Sequence, residues 1–304
     1  MTLTELKYIV AVAQHSHFGR AAKACHISQP TLSLGIKKLE AELGINLFER
    51  SAGSELSITS VGERIIEQAQ KVLEQADVIK QLANSNQDPL TGALRLGAIY
   101  TIAPYLLPEL VPRIHHSAPQ MPLFIEENFT AVLSEQLKHG KLDVIIIALP
   151  FDEPGITTQA IYNEPFLVAT PEGHALNKKS AIDVKELAEQ DLLLLGPGHC
   201  FRDQVMDACP ECRTSGNLQG LEGSSLETIR HMVATGVGIT VLPSSSNIQS
   251  NQNPLLKMIA FKQPGPYRTV ALAWRKSFTR PEAIDALRNE ILQCKLPGVT
   301  MLKK

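Results

Sequence analysis

Apolar positions recur at three- and four-residue spacing in three short blocks near the N-terminus. Leu6, Ile9, Val10 and Ala13 predict a first helix, and Phe18, Ala21, Ala22 and Cys25 a second. Leu32, Ile36, Leu39 and Leu43 mark the buried face of a third. Ser28 is placed to cap that helix and Pro30 falls at its first positions, where a missing N–H is not needed. Gly44 supplies the stop. A hairpin is expected over residues 47–58. Two helices joined by a tight turn, the second capped and followed by a hairpin, predict an all-α winged helix-turn-helix unit over residues 1–60. The pattern alone fits an ordinary three-helix core equally well.

Ile65, Ala69, Val72, Ala76, Ile79 and Ala83 then follow a 4-3-4-3-4 spacing, a heptad seam flanked by Glu, Gln and Lys. Residues 61–87 are read as a long linker helix that favours dimerisation, against the alternative that it packs on its own domain. The polar run at residues 84–89, closed by Pro89, reads as the link to the rest of the chain. Beyond it, strand-like runs at 94–98, 123–126, 142–149, 166–169, 192–195, 238–242 and 269–274 alternate with helical patterns at 105–115, 132–139, 226–234 and 281–292. That alternation predicts an α/β region with largely parallel sheets over 88–304, large enough for two lobes around a cleft.

Composition narrows the function classes. The chain has 304 residues, 44% of them hydrophobic and 20% charged, with a net charge of −2. No global charge marks it for nucleic acid or membrane. The first 60 residues hold four Lys, two Arg and five Glu. Any DNA contact therefore depends on a local basic surface, multiplied by oligomerisation. No apolar run reaches membrane-spanning length, and the N-terminus lacks a signal core, so a cytoplasmic protein with no membrane partner is expected.

Five cysteines at irregular spacing, Cys25, Cys200, Cys209, Cys212 and Cys294, do not form a structural framework in a reducing compartment. Cys200 and Cys209 lie nine positions apart in a stretch that reads as helix. Nine steps of 100° leave them on opposite faces, about 13 Å apart along the axis. A bond between them needs Cα atoms within ~7 Å, so the segment must first come apart. Cys209-Pro210-Glu211-Cys212 has the spacing of a zinc or dithiol motif. Four zinc ligands are not at hand, however, and redox dithiols normally open a helix rather than close one. Cys212 is read as a bystander or an alternative resolving thiol. Cys25 and Cys294 are read as inert, and no cofactor or metal is expected.

The run from Phe18 to Ser33, Ile36-Lys37-Lys38-Leu39-Glu40, and Leu47-Phe48-Glu49-Arg50 resemble the DNA-binding module of LysR-type transcriptional regulators. The resemblance extends over the whole chain and implies a two-lobed, periplasmic-binding-protein-like effector domain. It implies base contacts from Gln29, Pro30, Thr31 and Ser33 to double-stranded promoter DNA, and phosphate contacts from Lys37, Lys38 and Arg50. Gly35 stands where the family commonly carries Gln.

Within that family, Gly198-His199-Cys200-Phe201-Arg202-Asp203-Gln204 with Cys209 is similar to the members that sense hydrogen peroxide. For those, Cys200 attacks peroxide as a thiolate and Cys209 resolves the sulfenic acid to a disulfide. A helix N-terminus, Arg202 and His199 would each stabilise negative charge on the Cys200 sulfur. Thr101, Thr130, His199 and Asp203 would hold the peroxide and supply its proton. The resemblance implies oxidative-stress genes as targets, RNA polymerase and a cellular thiol reductant as partners, and a dimer of dimers as the assembly. The rival readings are a LysR-type regulator that binds a small metabolite in its cleft, and a thiol peroxidase. The helix-turn-helix argues against an enzyme.

Overall fold

The computed structural model describes residues 1–49, 56–84, 89–213, 222–247 and 254–302. The chain divides into two compact units, Met1–Asn86 and Gln87–Lys304.

In the first unit, α1 (Leu3–His15) opens on a capping box in which Thr2 accepts from the Glu5 N–H and Glu5 accepts from Thr2. Helix α2 (Phe18–Ala24) follows a tight turn, and α3 (Gln29–Leu43) is capped by Ser28 and closed by left-handed Gly44. Ile9, Val12, Leu32, Ile36, Leu39 and Leu47 are fully buried between them. Leu43, expected inside, is 38% exposed, because the helix ends as its last turn leaves the core. The unit is not strictly all-α: β1 (Phe48–Glu49) pairs antiparallel with β2 (Ser57–Ile58), at the ends of the expected hairpin.

Helix α4 (Ser60–Asn84) divides the heptad seam. Its first turns pack on this core through Ile66 and Ala69, with Ile65 and Leu73 partly buried, whereas Val72 and Ile79 stand exposed. Packing within the unit thus claims the start of the helix, and the unsatisfied apolar face begins at Val72.

The second unit is built on one mixed sheet in the order β4-β3-β5-β12-β6-β10-β8-β9. Strands β3 (Leu94–Ile99), β4 (Leu123–Asn128) and β5 (Val144–Ala148) run parallel, as do β8 (Leu192–Leu195), β9 (Glu222–Gly223) and β10 (Ile239–Pro243). The expectation of largely parallel sheets fails at the centre. There β6 (Ile156–Pro171) and β12 (Tyr267–Arg275) pair antiparallel with each other, β12 with β5, and β6 with β10. Strand β6 is shared: its first part pairs with β12 and β13 (Thr300–Met301), its last part with β10 and β11 (Leu256–Phe261). The small β7 (Ala181–Ile182) joins β11.

Two cores follow from this sharing. The first lobe packs α5 (Ala103–Ser117), α6 (Thr130–Lys138) and α9 (Pro281–Leu292) on β3, β5 and β12. The second packs α7 (Cys200–Ala208) and α8 (Leu226–Ala234) on β8, β10 and β11.

Candidate functional site

The register of the parallel strands places the site. Ile99 pairs with Asn128 at the ends of β3 and β4, so the next residues, Tyr100 and Phe129, meet with ring centroids 5.4 Å apart. His199, arriving from β8, closes the group at 4.7 Å from Phe129 and 6.0 Å from Tyr100. Each of these three rings immediately precedes one expected reactive residue: Thr101, Thr130 and Cys200. The ring contacts thus bring together the chain segments that carry Thr101, Thr130 and Cys200, beyond the C-terminal ends of parallel strands, the usual position for ligands in open α/β sheets. Gly198 makes the approach possible. Its φ of +92° is strained for any side chain, and an added Cβ would lie 3.4 Å from the Phe129 ring.

Thr130 begins α6, and its hydroxyl is buried with no hydrogen-bond partner among the described residues. A small polar ligand would satisfy that hydroxyl. Thr101 is buried and held from the other side. Arg268 donates from Nη1 to Thr101 Oγ1 and from Nη2 to the Thr101 carbonyl, both at 2.8 Å. With its oxygen accepting from Arg268, the Thr101 hydroxyl is left to donate elsewhere. Arg268 is itself fixed by buried Glu164 at 2.7 Å and lies 5.1 Å from the centroid of Phe201, the residue after Cys200. Sequence reasoning missed Tyr100, Phe129, Glu164 and Arg268. The two charges inside apolar strand runs were the available signal for the last pair.

Cys200 is half-buried at the start of α7 with its thiol free, and packs against the first-lobe core. Burial pushes the His199 imidazole below the ordinary histidine value, opposed by a hydrogen bond to the Ser224 backbone. The same burial sets the His199 ring against Phe129 and Tyr100, in the residue directly before Cys200. Arg202 donates to the Leu195 carbonyl at 2.6 Å. Asp203, expected to hold peroxide, points from the first turn of α7 into solvent, so its position gives no support for that role.

The expected resolving position, Cys209, lies at the far end of the same helix. Helix α7 ends at Ala208, before Pro210, and Cys209 caps it, fully buried in the second-lobe core. Cys209 is joined there to Cys212 in a disulfide, with Cα atoms 5.5 Å apart. Cys212, read from sequence as a bystander or an alternative resolving thiol, is the partner of Cys209 here. Cys200 and Cys209 occupy the two ends of an intact helix and two different cores, so a bond between them requires α7 to unwind.

On the first unit, Gln29, Pro30, Thr31 and Lys37 are exposed along α3 and Ser33 is half-buried. The Thr31 hydroxyl also bonds Ser28 Oγ at 2.7 Å. Leu34, not anticipated, is 70% exposed on the same helix. Lys38 is exposed but its Nζ lies 3.2 Å from Glu5 Oε1. Arg50 lies outside the described residues. Gly35 has a packing reason: an added Cβ would meet the Tyr8 ring at 2.8 Å, so the Gln common in the family does not fit unless Tyr8 moves. Among the described residues no three His, Cys, Asp or Glu side chains are grouped to hold a metal, and no helix is long and apolar enough to cross a membrane.

Residues 3–63 match the model of the bacterial regulatory helix-turn-helix protein, lysR family, and residues 87–294 match the LysR substrate binding domain. The chain belongs to the LysR family of bacterial transcriptional regulators. Within that family it is similar to OxyR. The DNA-binding transcriptional dual regulator OxyR of Escherichia coli is 38% identical over 275 residues, covering 90% of both proteins. A full-length cysteine-to-aspartate variant of OxyR from Pseudomonas aeruginosa superimposes with a TM-score of 0.78 at 53% identity, over 98% of this chain and 99% of that one. A cysteine mutant of Corynebacterium glutamicum OxyR with hydrogen peroxide bound gives 0.65 at 32% identity, over 96% and 92%.

Proposed function

We propose that this protein is a hydrogen peroxide-sensing regulator of oxidative-stress genes. Cys200 attacks peroxide, the sulfenic acid is resolved by Cys209, and the resulting refolding of residues 199–209 alters subunit packing and DNA contacts. The carrying observation is the packing of the Tyr100, Phe129 and His199 rings, which joins the segments bearing Thr101, Thr130 and Cys200, together with the buried Thr130 hydroxyl, unpartnered among the described residues. Relatives named hydrogen peroxide-inducible genes activator and the peroxide-bound OxyR relative support the same reading.

In this reading Thr130 accepts or donates to peroxide, and Thr101, its oxygen committed to Arg268, directs its proton toward the departing oxygen. His199 fixes the ligand axis, and Arg202 anchors the start of α7 to β8. Asp203, turned to solvent, is not placed in this mechanism. The first unit acts as a winged helix-turn-helix. Gln29, Pro30, Thr31 and Ser33 face bases, with Lys37, Lys38 and Arg50 on phosphates. The second unit adopts the two-lobed, periplasmic-binding-protein-like arrangement. A cytoplasmic dimer of dimers meeting RNA polymerase, reset by a cellular thiol reductant, completes the proposal.

The test is a footprint of Cys200→Ser on promoter DNA with and without peroxide. The variant binds DNA as the parent does, but its footprint does not change on oxidation. A normal peroxide-dependent shift in the variant removes the mechanism. A shift that instead requires an added metabolite selects the metabolite-binding alternative.

A further inference from the structure

Two disulfides compete for Cys209, and they differ in what the backbone must do. The bond to Cys200 needs nine residues of α7 rebuilt. The bond to Cys212 needs nothing of the kind. Pro210–Arg213 forms a 3₁₀ turn in which the Cys212 N–H donates to the Cys209 carbonyl at 3.0 Å. Three residues per turn bring side chains at i and i+3 onto one face. The Cα separation of 5.5 Å falls inside the normal range for disulfides, with α7 intact. Both sulfurs then sit in the second-lobe core with Phe201 and Val205, whereas the Cys200–Cys209 bond must pull Cys209 out of it.

We propose that Cys212 is a second resolving thiol which ends the signal by thiol–disulfide exchange. The proposal rests on the peroxide reading above. Cys200 thiolate first displaces hydroxide from peroxide and becomes the sulfenic acid. The Cys209 thiol then condenses with it, releasing water and forming the Cys200–Cys209 bond with α7 unwound. The Cys212 thiolate next attacks the Cys209 sulfur: a Cys209–Cys212 bond forms, the Cys200–Cys209 bond breaks, and the electron pair leaves on Cys200 as thiolate. One peroxide has been reduced by two electrons, supplied by Cys209 and Cys212. Cys200 is regenerated and α7 can refold.

The exchange is driven by the packing recovered when α7 and the core re-form. The attacking thiol is three residues from its target, so it competes at the high effective concentration of a short tether. The product is a refractory state. A second peroxide oxidises Cys200 only to the sulfenic acid, because its partner is occupied. Sensitivity returns when a dithiol reductant opens the Cys209–Cys212 pair.

The experiment is a time course on the reduced full-length chain. One equivalent of hydrogen peroxide is added, samples are quenched by acid and alkylation, and disulfide-linked peptides are mapped by mass. In the parent protein the Cys200–Cys209 peptide rises first and then converts to Cys209–Cys212 with Cys200 recovered as a thiol. In Cys212→Ser the Cys200–Cys209 form persists roughly ten-fold longer or more. The parent time course stands by itself if that variant folds poorly.

A Cys200–Cys209 bond that forms and remains the end product in the parent overturns the exchange and leaves the peroxide reading standing. Formation of Cys209–Cys212 at the parental rate in Cys200→Ser also overturns it, since the relay then plays no part. Cys200 remaining a thiol throughout overturns the peroxide reading, and the exchange with it.

Discussion

Arg268 and Glu164 face each other at 2.7 Å with neither side chain exposed. The pair connects three parts of the second unit. Arg268 holds Thr101 and lies over Phe201, while Glu164 also accepts from the Ser245 N–H at 3.1 Å. Removing one partner leaves an uncompensated buried charge, which destabilises by about 3–5 kcal/mol. Glu164→Gln or Arg268→Met is therefore expected to lower the unfolding midpoint of this unit sharply. The single tryptophan, Trp274, lies on β12, so its fluorescence in a urea titration reports this unit selectively. A midpoint within error of the parent would mean that the pair bears no part of the fold's stability.

His199 makes stability depend on pH. Its imidazole is held below the ordinary value, so the unfolded chain binds a proton more readily than the folded one. The stabilisation is complete above the unfolded value of about 6.5 and is lost as pH falls below it toward the folded value. Thermal unfolding between pH 7.5 and 5 should thus fall more steeply for the parent than for His199→Asn. Parallel curves would show that His199 does not contribute.

Val72 and Ile79 are exposed on the half of α4 that the first unit's core leaves uncovered. If this face joins subunits, Ile79→Lys places charge in an apolar seam and weakens dimerisation roughly ten-fold or more. Sedimentation equilibrium measures this directly, and an unchanged association constant would assign the seam to no interface.

Cys294 should stay silent. Burial pushes its thiol up to about 11, and its Sγ is 3.4 Å from the Glu290 carbonyl. At pH 7 about one such thiol in ten thousand is ionised. Iodoacetamide should leave Cys294 unmodified in the folded protein while labelling half-buried Cys200, and Cys294→Ala should preserve the peroxide response. Peptide mapping after a short pulse is sufficient.

Much of this was legible in the chain because it is local. The capped α3, the strands at β3, β8 and β10, and the end of α7 before Pro210 each follow from periodicity or a breaker within a few residues. The opposition of Cys200 and Cys209 needs only the helical angle. Long-range matters were not legible. Strand β6 has sixteen residues, but Tyr162-Asn163-Glu164-Pro165 interrupts its apolar run, and only pairing with β12 and β13 shows that it continues. The Cys209–Cys212 bond depends on a 3₁₀ turn, which a helical pattern with a proline does not distinguish from a loop. The placement of Asp203 in solvent depends on which face of α7 the second lobe claims.

The contact between Lys38 and Glu5 changes how the DNA-binding unit should respond to ionic strength. Glu5 is buried, and although burial alone raises a carboxylate, hydrogen bonds from Lys38 and Thr2 bring its value below the ordinary one and keep it ionised. A lysine that already carries its own counter-charge displaces little condensed cation from a duplex. Of the two adjacent lysines on α3, Lys37 would set the slope of affinity against salt, and Lys38 would add grip only where the backbone of the duplex comes close enough to outbid a carboxylate.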